Sequence, residues 1–451
     1  MQDRAMIDRI VELIRRFTPL SSRSAEWDFL TSGSGKPQRW HEIEDEHRVL
    51  VIADPGAGKT FEAQTRARRI KERGRHAFFI RIEKIDSQFD QAFEVGTAAE
   101  FADWLVSTDD AWFFLDSVDE AQLETPRALE DAVRIFGKQC HAALDRARIF
   151  ITSREDAWRA LPDQTLIEQH LPYGEPKPSE RDDDTSRDND PTLKLFRLAG
   201  LNEDEIGLFA SHYGISDVAD FVDAVKRANL LQLAERPFDL KALIQVWIAD
   251  HKLGSRFEVL QRMIALHLSP LSATLAPVRL DAAKMRAGAQ MLAGAVTMTG
   301  KAVICLPDGV HSPDRIDPRV LLEGWSDAEI DALLRTGLFD DIVYTSVRFR
   351  HREVRELLSA QWANDLLNRP GERPRIEDLF FRERYGEMVI VPRTRPTLTW
   401  LILLDDAVRD KALAIAPEIA TEGGDPSRLP LEVRQAMLGD IVERIATRRR
   451  G

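Results

Sequence analysis

Cysteine is nearly absent from this chain, with only Cys140 and Cys305 among 451 residues. The two lie far apart and without metal-ligand spacing, which excludes a disulfide-stapled secreted domain and a thiolate metal site and points to a reducing, cytoplasmic setting. Long apolar runs are missing too. No stretch approaches the roughly 18 apolar residues of a membrane span, and the opening MQDRAMIDRI carries acids where a signal peptide needs an uncharged core. Positive charge is in deficit: 62 Lys and Arg face 75 Asp and Glu, for a formal charge of −13. That balance disfavours nucleic acid as the partner, because a surface built to neutralise phosphates needs the opposite sign. Local basic stretches such as Arg66–Lys71 and Arg448–Arg450 read as a solvated helix face and a chain end. Several catalytic signatures are absent as well: there is no His-Glu-x-x-His pair, no Gly-x-Ser-x-Gly elbow and no Asn-Lys-x-Asp segment to read guanine. Cys140 beside His141 makes no catalytic pair, since neighbours on a helix point about 100° apart.

What is present is a phosphate-gripping pattern. Val49-Leu-Val-Ile-Ala53 is an apolar strand, and it runs into Asp54, Pro55, Gly56, Ala57, Gly58, Lys59, Thr60 and Phe61. Glycines let backbone N–H groups close around phosphate oxygens, and the helix that follows presents its positive dipole end to them. Lys59 would reach the β and γ phosphates, and Thr60 would hold Mg²⁺. Ala53 stands where the full G-x-x-x-x-G-K-[ST] pattern has its first glycine, which is tolerable if that residue keeps a negative φ.

Two further apolar runs end in polar chemistry. Ala111-Trp-Phe-Phe-Leu-Asp116-Ser-Val-Asp119-Glu120 delivers Asp116 to the carboxyl edge of a buried parallel sheet, where it could bind the Mg²⁺ shell. Asp119 and Glu120, just beyond, could orient or deprotonate an attacking water, or could be the favoured acids of a solvated helix start. Arg148–Arg154 ends in Thr152, Ser153 and Arg154, placed to sense a γ-phosphate or to act as cap residues and a surface cation.

At 451 residues the chain exceeds one core, and size alone suggests about three units. Ile7, Ile10, Val11, Ile14 and Phe17 recur at helical spacing, predicting an amphipathic helix over 4–17, followed by a Ser/Gly link. Strands and helices then alternate to about residue 170, including a strand at His76–Ile82, which specifies a parallel three-layer α/β sheet. Residues 172–192, rich in proline and aspartate, read as a solvated loop. Beyond it the pattern is helical, with a capped start at Asn202 and Glu205, a small hairpin near 302–304 and 343–350, and proline-punctuated helices from about 370 onward.

In this order the three segments resemble the NACHT branch of the STAND NTPases, the signal-transducing switch ATPases. Ala234–Leu243 is similar to the proline motif of their helical domain, and Val347–Ala360 to the end of their winged-helix domain. The resemblance covers 45–367. Resemblance and sequence pattern together give an N-terminal helix and linker (1–44), a P-loop NTPase core (45–171), a disordered acidic loop (172–192), a helical domain (193–270), a winged-helix-like domain (271–368) and an all-helical, repeat-like C-terminal region (369–451). Pro237 would pack near the adenine and His351 would hydrogen-bond the β-phosphate of ADP, although Pro237 also suits a helix first turn and His351 a helix cap. The implied activity is a slow ATPase switch that binds ATP or ADP with Mg²⁺ and oligomerises with its own copies when triggered, as in bacterial antiviral defence. No effector is recognisable in the short segment before the phosphate loop, so the expectation is either a truncated piece of a longer protein or a chain that works through a separate effector partner. Two rivals remain: an AAA+-like motor or loader, and a helical scaffold with a decayed nucleotide site, which Ala53 alone recommends.

Overall fold

The computed structural model describes residues 13–20, 36–85, 89–116, 126–155, 157–173, 193–268, 280–309, 312–340, 342 and 345–448. The chain divides into two compact units, one of Met1–Val222, Leu231–Lys241 and Asp341–Tyr344, the other of the remaining segments.

The first unit is built on eight strands: β1 (Arg16–Leu20), β2 (Gln38–Arg39), β3 (Arg48–Ile52), β4 (His76–Arg81), β5 (Phe93–Val95), β6 (Ala111–Asp116), β7 (Ala147–Ser153) and β8 (Lys194–Leu198). Their order across the sheet is β2-β1-β8-β3-β7-β6-β4-β5. The central five, from β8 to β4, are parallel, while β1 and β2 at one edge and β5 at the other run antiparallel. The expected all-parallel sheet is therefore mixed. Every residue of β3 and β6 is buried, which is why those strands read as unbroken apolar runs: both faces of a central parallel strand are covered.

Alternate side chains feed two cores. Leu50, Ile52, Phe113, Leu115, Ile149 and Ile151 pack on one face with Leu129, Val133 and Phe136 of the helix Pro126–Cys140. Val49, Val51, Phe114 and Phe150 pack on the other with Ala63, Ala67 and Ile70 of α1 (Lys59–Glu72). Each buried aromatic or branched side chain contributes about 1.5–3 kcal/mol, so the strand centres are fixed far more firmly than their ends.

The helix predicted over 4–17 is corrected where it can be seen. Residues 1–12 lie outside the described set, and Arg16–Phe17 open β1. From Leu13 to Phe17 burial alternates, with Leu13, Arg15 and Phe17 inward and Ile14 54% exposed. That is the period of a strand, and helical spacing puts Ile14 on the wrong side. The sheet also overruns the expected 45–171 core at both ends, taking in β1, β2 and β8. β8 is only five residues, too short for periodicity to tell strand from helix. Of the acidic loop, only 172–173 are described, and both are held: the Pro172 carbonyl accepts from Arg48 at 2.9 Å and Tyr173 stacks on His47 at 3.5 Å.

His47 carries a pH dependence. Burial, then the Arg148 and Arg48 charges, hold its imidazole below the ordinary 6.5. Below that value the unfolded chain binds a proton that the folded chain refuses, so stability is full above pH 6.5 and is lost as pH falls through the window beneath it. Thermal melting between pH 7 and pH 5 should show a decline that His47→Phe, which keeps an aromatic ring beside Tyr173, flattens. An identical decline in both proteins would remove His47 as its source.

In the second unit, Ile304–Cys305 pairs antiparallel with Ser346–Val347. The strands foreseen near 302–304 and 343–350 do meet. They are not a hairpin, because the helices Pro318–Leu321 and Asp327–Leu334 lie between them in sequence. Helices Ala282–Thr299 and Arg352–Leu367 approach closely, and a Cβ on Gly294 would lie 2.6 Å from the Trp362 ring. The C-terminal region is not all-helical: Phe381–Arg384 and Glu387–Ile390 form a hairpin. Its two-residue turn has φ of 54° at Tyr385 and 82° at Gly386, the paired positive values that a tight hairpin turn demands. A lone Tyr-Gly between charged residues is a weak turn signal, and the proline-punctuated pattern masked it.

Candidate functional site

The phosphate loop leaves β3 at Ala53, whose N–H still pairs with the Ser153 carbonyl at 3.0 Å. Ala53 is 1% exposed and is not among the described residues with positive φ, so alanine in place of glycine introduces no backbone strain. The left-handed positions fall on Gly56 (φ 74°) and Gly58 (φ 88°), where only glycine is at ease. Ala57 N–H donates to the Asp54 carbonyl at 3.1 Å, closing the turn. α1 begins at Lys59 with Gly58 as its N-cap and no side chain accepting there. Its first turn therefore keeps the positive dipole end and the unpaired-donor character of a helix start for a ligand anion.

The carboxylate arrives from β6, with β7 between it and β3. Asp116 is fully buried. Its Oδ1 accepts from the Thr152 hydroxyl at 2.6 Å and its Oδ2 from Arg81 Nη1 at 3.1 Å. Burial pushes the Asp116 carboxyl up, and the Lys59 charge, hydrogen bonds from Thr152 and Thr60, and the Arg81 charge pull it back down. So Lys59 and Thr60 from the loop and Asp116 from a strand two places away converge on one spot. Thr152 thus serves Asp116, in a role that neither the sensor nor the cap reading described. Ser153 is buried with its hydroxyl donating to the Arg154 carbonyl at 3.1 Å, and Arg154 is 1% exposed, no surface cation.

Around the loop stand residues that sequence reasoning missed. Arg15, 2% exposed, donates from Nη1 to the Ala57 carbonyl at 2.9 Å and from Nη2 to the Ala199 carbonyl at 2.8 Å. The helical spacing of Ile10, Ile14 and Phe17 left it unassigned, whereas the alternation Leu13, Arg15, Phe17 would have turned it inward. Phe238 N–H donates to the Gly56 carbonyl at 3.3 Å, and Arg236 pairs with Asp54 at 3.3 Å. Pro237 opens the helix Pro237–Asp250, the first-turn position that proline favours. A Cβ on Gly58 would lie 3.6 Å from Pro237 Cγ and 3.6 Å from Arg15 Nη1. Pro237 thus starts a helix and flanks the loop. Phe61 is 42% exposed.

Asp119 and Glu120 lie outside the described residues. His351 belongs to the second unit, where it precedes helix Arg352–Leu367, is 6% exposed and makes no side-chain cap hydrogen bond. The capping alternative for His351 therefore fails on geometry. Among the described residues no cluster of three or more His, Cys, Asp or Glu side chains could hold a metal ion, and no helix is long and apolar enough to cross a membrane.

No protein family matches the chain, and no curated protein matches it. Among solved structures, a Walker-type ATPase of Pyrococcus abyssi is similar over 70% of this chain and 93% of its own, at 10% identity and a TM-score of 0.32.

Proposed function

We propose that this chain is a P-loop NTPase that binds ATP or ADP with Mg²⁺ at Asp54–Phe61 and hydrolyses ATP slowly as a molecular switch. The observation that carries the reading is the meeting of Lys59, Thr60 and Asp116 at the carboxyl end of buried strands. The donor set fits the ion. Mg²⁺ prefers hard oxygen ligands and commonly takes only one or two from protein, filling its shell with phosphate oxygens and water. The Thr60 hydroxyl and the Asp116 carboxylate, near enough for Thr60 to pull the Asp116 pKa down, supply that pair. Bound there, Mg²⁺ would neutralise charge on the phosphates.

The chain's own residues would divide the remaining work. Lys59 would pair with β and γ oxygens, Gly56, Ala57 and Gly58 would offer backbone, and Thr152 and Arg81 would hold Asp116 in its ionised orientation. Glu120, with Asp119 beside it, would accept the proton of the attacking water, and Arg154 would stabilise charge on the γ-phosphate. The STAND-type switch, resting with ADP, exchanging it for ATP on a trigger and assembling with further copies in bacterial antiviral defence, is proposed on the sequence resemblance. Two buried free cysteines fit a cytoplasmic setting. A ligand shifts such an equilibrium only by what it binds better in one state than in the other.

Chromatography of nucleotide released from the purified chain tests the switch. One ADP per chain is expected, together with ATP turnover well below the ~10 s⁻¹ of a typical enzyme. An empty protein, or one carrying guanine nucleotide, would overturn it. For Glu120→Gln, single-turnover assays should show ATP retained and cleavage slowed about 100-fold, the scale of lost general-base help. Unchanged cleavage would remove Glu120 from the chemistry.

A further inference from the structure

The first unit also holds a concave site whose lining includes none of the phosphate-loop residues 54–61. It is a cavity of about 440 Å³ whose lining includes Arg15, Arg39, Arg66, Arg69, Arg73 and Arg75. Three of these, Arg66, Arg69 and Arg73, fall on one flank of α1 and its C-terminal cap, since steps of three and seven residues return to nearly the same face. Against six guanidiniums the lining offers two carboxylates, Glu44 and Asp45, an excess of four positive charges. Both carboxylates are engaged: Glu44 pairs with Arg66 and with Arg73 at 3.2 Å, and Asp45 lies 3.9 Å from Arg148. Glu62, 3.9 Å from Arg15, is the nearest further acid described for that guanidinium. Holding so many like charges together opposes folding unless something of the other sign joins them.

We propose that this cavity binds a compact multivalent anion, a di- or triphosphate group, at a site distinct from the phosphate loop. Guanidinium forks match phosphate oxygens in pairs, and several converging on a concavity recognise clustered charge more strongly than a single phosphodiester. The aromatic wall does not serve a base. Trp40 is already covered, with Arg66 5.6 Å from its centroid and the Phe17 ring edge-on at 4.5 Å. Recognition therefore runs through phosphates, which favours a polyphosphate moiety over a nucleic-acid strand. Arg15 belongs to this lining and also holds the Ala57 carbonyl of the phosphate loop.

Calorimetric titration of the full chain with inorganic tripolyphosphate tests the site, with Lys59→Ala in the background so that the phosphate loop does not compete. One tripolyphosphate per chain is expected, with affinity that falls as salt rises. Adding Arg69→Gln and Arg75→Gln together should weaken it about 100-fold without lowering the melting temperature, since each lost charge-assisted pair is worth a decade or so. Should that variant fail to fold, Arg39→Gln, on the exposed edge strand, should still weaken binding several-fold. No binding to the Lys59→Ala chain, equal binding to the arginine variants, or tighter binding of an oligonucleotide lacking terminal phosphates would each overturn the proposal.

Discussion

Replacing Lys59 with alanine is expected to empty the protein of nucleotide. Lys59 opens α1 and its charge already acts on buried Asp116, so its ammonium stands where a polyphosphate would meet both the loop backbone and the carboxylate. Hydrogen bonds to charged groups are worth about 1.5–3 kcal/mol each, and an ammonium bridging two phosphates makes at least two. At about 1.4 kcal/mol per decade, the loss should be 100-fold or more in affinity for ATP and ADP alike. A second consequence follows at Asp116. Without the lysine charge its carboxyl should rise further, since burial already pushes it up, and a protonated Asp116 would serve Mg²⁺ poorly. Lys59→Met, which keeps the packing of the stem but not the charge, should behave like alanine. Lys59→Ala protein that still co-purifies with one ADP per chain would sink the assignment of the loop and of Asp116 together.

The parts of this site that the sequence revealed are those in which burial and chemistry follow one another along the chain. An unbroken apolar run ending in a carboxylate, as at Asp116, is the mark of a central parallel strand with its carboxyl end at a ligand edge. The same holds for Val49–Ala53 before the glycines. What was not legible is contributed from a distance. Arg15 and Arg81 reach the loop and Asp116 through tertiary packing, and nothing near them in sequence states their partners. The edge strands were hidden for a related reason. β1, β2 and β5 are short and partly exposed, so their local pattern carries less information than that of the buried centre. Leu13 to Phe17 shows how close the competition is: the same apolar residues fit period 3.6 if Ile14 is counted and period 2 if Arg15 is allowed inside.

Replacing Arg48 with methionine is expected to cost the first unit much of its stability while leaving the nucleotide chemistry alone. Arg48 starts β3 and is 2% exposed. Its guanidinium donates to the carbonyls of Leu171 at 2.7 Å, His47 at 2.8 Å, Leu144 at 2.9 Å and Pro172 at 2.9 Å, and to Ala147 as well. Among the described residues no carboxylate forms an ion pair with it; burial pulls its pKa down to about 10, which still leaves it charged at neutral pH. It therefore acts as a five-armed donor binding the start of β3 to the start of β7, to the turn before it and to the end of the helix Ala160–His170, whose terminal carbonyls favour a cation. Methionine fills a similar volume but offers no donor, so the buried bonds to the Leu171, Ala147 and Leu144 carbonyls are lost, the last of these keeping only the Ala147 N–H at 3.4 Å. Each buried acceptor left unmet costs about 1–3 kcal/mol. Water entry and relaxation reduce the sum, leaving an expected loss of about 3–5 kcal/mol against a typical total of 5–15. Arg48→Lys should fall between, because an ammonium has three donors on one point and cannot span five acceptors. Urea unfolding followed by tryptophan fluorescence would read the shift in midpoint, and nucleotide titration of the protein that remains folded should give the wild-type affinity. A loss below about 1 kcal/mol would mean that solvent replaces the guanidinium without cost, which buried carbonyls do not permit.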